Sequence, residues 1–224
     1  MRNPWQDVPV EPPYLLPADR PYVESFNRHV TLAYRLDVRL LPEPFLGSRG
    51  APLVVLNLNP GIAGSEYRVH NWPAYSRALR ANLGADRRGH HQVNLDPAFA
   101  KTPGGRWSRK CFKAVIAAGV NHADLARRVL LVEFHGYHAR SWRPIPVTLP
   151  SQRYGFWLVE QAMNRGATII PMRGVRDWEV AVPHLGSYKR RVGIRNPRSA
   201  TISPANCGQR GFDLVIEAVT GRSK

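Results

Sequence analysis

Three short apolar runs constrain this chain more than any other feature. Leu53–Leu58 lies between Pro52 and Pro60, and Val129–Phe134 and Ala167–Pro171 are similar in length and character. Continuous runs of Val, Leu and Ile without polar alternation are the pattern of strands covered on both faces, as parallel strands are. Helical patterns lie between the runs. Pro73–Leu83 closes with Gly84, Trp107–Ala118 with Gly119, and Ser151–Arg165 with Gly166, each glycine following the last helical residue. A weaker fourth run, Ser199–Ser203, precedes a final helix over Gly208–Val219. Strands alternating with helices predict an α/β fold with a parallel sheet and right-handed crossovers.

The ends and loops follow from the prolines. The first twenty residues carry Pro4, Pro9, Pro12, Pro13 and Pro17, so they are expected to run extended over the surface. Asp19 then offers an N-cap, and Tyr22, Phe26, Val30 and Ala33 predict a helix to about Leu41, where Pro42 and Pro44 stop it. Residues 1–50 are thus expected as an extended arm and helix packing on a single folding unit of residues 51–224. Gly84–Arg106 is long, carries Gly, Pro and the pair His90 and His91, and reads as a functional or mobile loop. Open parallel sheets bind ligands beyond the carboxyl ends of their strands. That rule directs attention to Asn59–Val69, His135–Trp142, Met172–Trp178 and Pro204–Arg210.

Charge narrows the partner. Lys and Arg number 32 against 16 Asp and Glu, a net +16. Such a field attracts polyanions, and DNA is the partner expected. Two cysteines, Cys111 and Cys207, are too few for an iron–sulfur cluster or a Cys₄ zinc site and suit a reduced, cytoplasmic setting. No apolar run of about 18 residues occurs, and Met1–Val10 lacks a signal-like apolar core, so no membrane association is expected. There is no G-x-G-x-x-G after the first strand, no G-x-x-x-x-G-K, no H-E-x-x-H and no G-x-S-x-G. His135 with His138, or His90 with His91, could ligate a metal, but no third ligand is evident in the sequence. Neither a metal nor a cofactor is therefore expected. Cys207 sits in an Asn–Cys–Gly loop without an obvious base, which argues against a catalytic thiol.

The first loop is the most distinctive. Leu56-Asn57-Leu58-Asn59-Pro60-Gly61 ends a buried strand with polar side chains, a rigid turn and a glycine. Here the chain resembles the uracil-DNA glycosylase superfamily, in particular the branch whose first motif reads G-I-N-P-G. A second match is Ile202-Ser203-Pro204-Ala205-Asn206, where the family carries a Pro-Ser-Pro-type loop before a helix. The likeness spans most of residues 51–219 by element order, with specific motifs at about a dozen positions. Thr201 stands where well-known members carry histidine, and Asn59 where the first loop often carries aspartate.

The resemblance implies a three-layer α/β/α fold with a short, mainly parallel four-stranded sheet, and a monomeric, monofunctional DNA glycosylase acting on a damaged or modified pyrimidine. It implies that Asn59 holds the attacking water and that His138, with backbone donors, stabilises the departing base. Pro60, Gly61, His135 and Glu133 would border the base, with Tyr67 or Trp72 stacked on it. Ser203, Pro204 and Asn206 would press into the groove while Arg198 and Arg210 contact phosphate. An ionised Glu133 only accepts hydrogen bonds, which points to a base with an exocyclic amino donor, such as a C5-modified cytosine. Adenine offers such a donor too, a protonated Glu133 would serve uracil, and pairing with a neighbouring arginine is the structural alternative. Two rival expectations are a glycosylase removing a bulky modified cytosine from foreign (phage) DNA in defence, and a non-catalytic DNA-binding module of the same fold.

Overall fold

The computed structural model describes residues 1–84 and 92–221. One four-stranded sheet organises it, in the spatial order β1-β3-β2-β4, with β1 at Phe45–Gly47, β2 at Leu53–Asn57, β3 at Val129–Glu133 and β4 at Thr168–Pro171. The pairs β2–β3 and β2–β4 are parallel and β1–β3 is antiparallel. Every residue of the four strands is buried, as the apolar runs require.

Helices cover both faces. The crossover from β2 to β3 includes α2 (Glu66–His70), α3 (Pro73–Leu83), α4 (Pro103–Cys111), α5 (Lys113–Ala117) and α6 (His122–Arg128). The return to β4 runs through α7 (Gln152–Asn164), and α8 (Val175–Ala181) and α9 (Pro204–Thr220) follow. The two crossovers travel in opposite directions across the sheet, so a common right-handed sense puts α6 and α7 on opposite faces. α9 packs beside α6 and over β2 and β4. The result is a three-layer α/β/α fold. No helix among the described residues is long and apolar enough to cross a membrane.

Several expected boundaries moved, each for a local reason. The first helix, α1, covers Arg20–His29 and stops well before Leu41. Val30 is extended, and the Asn27 amide instead holds the returning chain, donating to Leu36 O at 2.9 Å and accepting from Leu36 N at 2.8 Å. Asp19 does not cap α1; its buried carboxylate accepts from the Tyr137 hydroxyl at 2.8 Å and Ser151 N at 3.1 Å. The helix expected over Trp107–Ala118 begins earlier, at Pro103, because the Thr102 hydroxyl caps Gly105 N, and Phe112 breaks it in two. Gly119 and Gly166 adopt the positive φ expected after a helix, whereas Gly84 has φ −63°. Of the expected loop 84–106, residues 85–91, with His90 and His91, lie outside the described residues. The stretch Gln92–Phe99 is packed, with two 3₁₀ turns at Val93–Leu95 and Pro97–Phe99. The arm joins the core: Trp5, Leu15 and Leu16 are buried, and residues 45–47 supply the edge strand.

Ser199–Ser203 is not a strand. The buried Asn206 side chain satisfies the polar groups of this segment, donating to Ser199 O at 3.0 Å and Thr201 O at 2.8 Å and accepting from Asn196 N at 2.8 Å. Ile202 N donates to Cys111 O at 2.8 Å. Asn206→Ala leaves these groups unpaired and is expected to lower the unfolding free energy by about 2–3 kcal/mol. Urea unfolding measures this, with exposed Arg210→Ala expected to stay within about 0.5 kcal/mol of the parent.

Candidate functional site

The site begins at a register pair. Asn57 and Glu133 are the last residues of β2 and β3 and stand directly opposite each other in the parallel ladder. The crossovers leaving these strands diverge, and ligands of open α/β sheets bind at such a divergence. A cavity of about 550 Å³ opens there, its wall including Asn57, Asn59, Glu133, Trp107, Trp142 and Arg173. A second cavity, of about 530 Å³, lies against the amino terminus and has no acid or histidine on its wall among the described residues.

Backbone bonds fix the loops that frame the first cavity. The carbonyls of Asn57, Leu58 and Pro60 accept from Phe134 N, His135 N and Ala139 N, each at 3.1 Å, zipping the loop after β2 to the loop after β3. Trp178 Nε1 donates to Asn57 O at 2.8 Å from α8. The turn into α8 passes against Leu58: a Cβ at Gly174, which has φ +63°, would stand 2.2 Å from Leu58 Cδ2. Only glycine suits that contact.

Asn57 Nδ2 donates to Glu133 Oε1 at 3.3 Å, leaving Asn57 Oδ1 and Glu133 Oε2 buried with no partner among the described residues. Burial drives the Glu133 pKa up to about 8; the Asn57 bond opposes this, the Glu43 charge adds to it and Arg173 opposes it. Glu133 is therefore mainly a neutral acid at pH 7, able to donate as well as accept, which favours the protonated alternative over the ionised one. Asn59 is half-buried, its Nδ2 donating to Pro60 O at 2.9 Å and Ala139 O at 3.3 Å. These bonds leave Oδ1 as its free acceptor. Pro60 and Gly61 border the same cavity, and nothing lies within 4 Å of a Cβ placed on Gly61.

The expected aromatic platforms are elsewhere. Tyr67 donates its hydroxyl to Asp37, and the Arg39 guanidinium covers its ring at 5.1 Å. Burial would raise Asp37, but bonds from Arg39 and Tyr67 hold it down at about 2. Trp72 is 42% exposed and packs edge-on against Phe99 at 5.2 Å. Neither borders the cavity; half-buried Trp107 and Trp142 do. His135 is buried, stacked on Trp142 at 5.2 Å, and held neutral because burial lowers its pKa to about 3. Ser203 caps α9, exposed Pro204 opens it, and Asn206 turns inward; none of the three is on the cavity wall. Arg198 and Arg210 are exposed. Burial raises both cysteine thiols, which fits neither as a nucleophile.

His138 borders the cavity but is tethered: Nδ1 lies 2.9 Å from Gly61 O and Nε2 3.1 Å from Leu41 O. It is therefore not free to follow a departing base. A third ligand and a carboxylate, invisible in the sequence, converge on it: Glu43 and His70 offer ligand atoms that lie, with one from His138, within 4.8 Å of one another. Burial raises Glu43, but the close His70 contact and the facing His138, with the Tyr75 hydroxyl, outweigh it and hold the carboxyl below its ordinary range. Burial lowers His138. Glu66, 3.9 Å from His70, is raised by burial and by the Glu43 charge.

Comparison with protein-family models, with curated proteins and with solved structures finds no match.

The raised Glu133 pKa links stability to pH. Between the unfolded value of 4.5 and the folded value of about 8, the unfolded chain has released a proton that the folded chain keeps. Stability should therefore fall as pH rises through that window, at up to about 1.4 kcal/mol per unit. Glu133→Gln keeps an acceptor for Asn57 and removes the titration. Relative to the variant, the parent should lose roughly 2 kcal/mol or more between pH 5 and 8 in urea titrations.

Proposed function

We propose that the chain is a monofunctional DNA glycosylase that takes an extruded pyrimidine into the cavity at the ends of β2 and β3 and hydrolyses its N-glycosidic bond. The observation that carries this reading is the pair Asn57 Oδ1 and Glu133 Oε2, two buried polar atoms without partners on one cavity wall. An unpaired buried polar group costs about 1–3 kcal/mol, so this wall is built for a ligand edge that bonds to it. Neutral Glu133 donates while Asn57 Oδ1 accepts. That pattern matches the O4 and N3–H of uracil, and equally the N3 and N4–H of cytosine, so the earlier preference for a cytosine derivative does not follow from this pair. Trp107 and Trp142 take the stacking role first assigned to Tyr67 or Trp72.

Asn59 fits the role of water holder. Its amide nitrogen is fixed to two carbonyls, which aims the acceptor oxygen while leaving it unbonded among the described residues. Water held there attacks C1′ of the deoxyribose as the bond to the base nitrogen breaks. The bonding pair leaves with the base, and the sugar passes through an oxocarbenium-like state. The proton that the water gives up ends on the departing base, so that the products are the hydroxylated sugar and the neutral base. A base cannot reach such a wall from inside a stacked duplex, so extrusion is part of the reaction. The net charge of +16, with exposed Arg140 on the cavity wall and Arg198 and Arg210 elsewhere on the surface, supplies contacts for phosphate.

Incubation with DNAs containing uracil, C5-modified cytosines and other pyrimidines, followed by mass spectrometry of released bases, tests the reading. Release of one pyrimidine is the expected result; binding without release of any would favour a non-catalytic DNA-binding module. Asn59→Ala should slow single-turnover release by about 100-fold with DNA affinity nearly unchanged. Affinity itself should fall steeply with salt, with a log–log slope steeper than about −2.

A further inference from the structure

The cluster of Glu43, His70 and His138 has no part in the reaction proposed above. Its members come from three separate pieces of chain. Glu43 precedes β1, His70 ends α2, and His138 lies in the loop after β3. Their side chains are only 9%, 5% and 1% exposed. His70 Nε2 stands 3.3 Å from Glu43 Oε1, and His138 Nε2 stands 3.9 Å from the same oxygen. Around a divalent ion bound at about 2.0–2.2 Å, neighbouring ligand atoms are roughly 3.0–3.5 Å apart. The two contacts to Glu43 Oε1 are therefore within a few tenths of an ångström of ligand spacing. The three ligand atoms as a set lie within 4.8 Å of one another, so the side chains must close further on an ion to bind it.

Two further observations point to a cation. Both ring nitrogens of His70 are buried and make no hydrogen bond of good geometry among the described residues; the polar groups nearest the ring are the carboxylates of Glu43, at 3.3 Å, and Glu66, at 3.9 Å. His138 can donate from Nδ1 to Gly61 O, which fixes its tautomer and leaves the Nε2 lone pair 3.1 Å from the Leu41 carbonyl oxygen. Two lone pairs facing each other at that distance repel. An ion bound at Nε2 removes the conflict by taking the Leu41 oxygen as a further ligand, and a doubly protonated ring would remove it by donating to both carbonyls. A backbone carbonyl holding Nδ1–H while Nε2 ligates is the ordinary orientation of a metal-bound histidine. The carboxylate completes the set, with Tyr75 donating to it at 3.3 Å.

We propose that Glu43, His70 and His138 form a binding site for one divalent first-row transition metal ion, in the two-histidine, one-carboxylate pattern. Imidazole nitrogen with a carboxylate suits zinc, cobalt or iron(II) and disfavours magnesium and calcium, which take oxygen ligands. Glu43 and His138 border the cavity, as does Glu66, so a remaining coordination position faces that space and can take water or a ligand atom. The ion would also fasten the segment before β1, helix α2 and the loop after β3 to one point. The inference does not depend on glycosidic-bond cleavage and holds or fails separately from it.

The test uses the full chain, stripped with chelator and titrated with ZnCl₂ and CoCl₂. One ion per chain is expected, with a thermal midpoint that rises on zinc addition, falls again with chelator and does not respond to MgCl₂. The cobalt form should show the d–d absorption of a four- or five-coordinate site with nitrogen and oxygen ligands. His70→Ala and Glu43→Gln should each weaken zinc binding by about 100-fold or more, whereas a His90→Ala/His91→Ala double variant and a Cys207→Ser variant should bind as the parent does. Where a ligand variant fails to fold, the parent chain decides the matter. Substoichiometric binding, a cobalt spectrum of the hydrated ion, or binding lost in the His90/His91 or Cys207 variants would overturn the proposal and leave a proton-bridged acid–imidazole cluster.

Discussion

The parallel pairing of β2 with β3 runs through five residue pairs and ends at Asn57 opposite Glu133. Four of those pairs join apolar side chains that are nearly all fully buried, each contributing on the order of 1.5–3 kcal/mol relative to exposure. That stabilisation is what tolerates the fifth. Asn57 and Glu133 together leave two buried oxygens unpaired, a local penalty that no isolated loop would sustain. The sheet thus holds at its carboxyl edge a polar pair with two oxygens left unpaired among the described residues, facing a cavity.

The two loops that continue from this pair are held to each other rather than to solvent. Bonds from Phe134, His135 and Ala139 to the carbonyls of Asn57, Leu58 and Pro60 set the depth of the cavity, and Trp178 braces it from below. Asn59 and His138 are positioned by the same zipper, one aimed into the cavity and the other back toward Glu43. The cavity wall and the Glu43–His70–His138 cluster therefore share one scaffold.

How much of this could be read from the chain depended on the range of the interactions. The three parallel strands were legible because burial on both faces writes itself as a continuous apolar run. The edge strand was not, since Phe45–Gly47 is only three residues between a proline and a turn, and Ser199–Ser203 imitated a strand whose polar groups Asn206 in fact satisfies. The Asn57–Pro60 turn was visible as the lip of a cavity. Tyr67 was misassigned because its partner, Asp37, lies on a distant segment. Glu43 and His70 carried no spacing signal at all, because the fold alone brings them to His138. The protonation of Glu133 depended on burial by elements remote in sequence, which no local pattern encodes.

The amino-terminal arm has a consequence for how this protein can change over time. A Cβ at Gly136 would stand 2.8 Å from Pro44 and 2.9 Å from the Trp5 ring, and Trp5 also packs on Tyr137 at 5.5 Å. Position 136 lies in the loop that carries both His135 and His138. A larger residue there is admissible only if position 5 shrinks and Pro44 also gives way, and a smaller residue at 5 opens room behind the loop. Substitutions at these two positions are therefore epistatic: in diverging lineages they should appear as paired exchanges, with the arm acting as a spacer that sets how far the loop can drift.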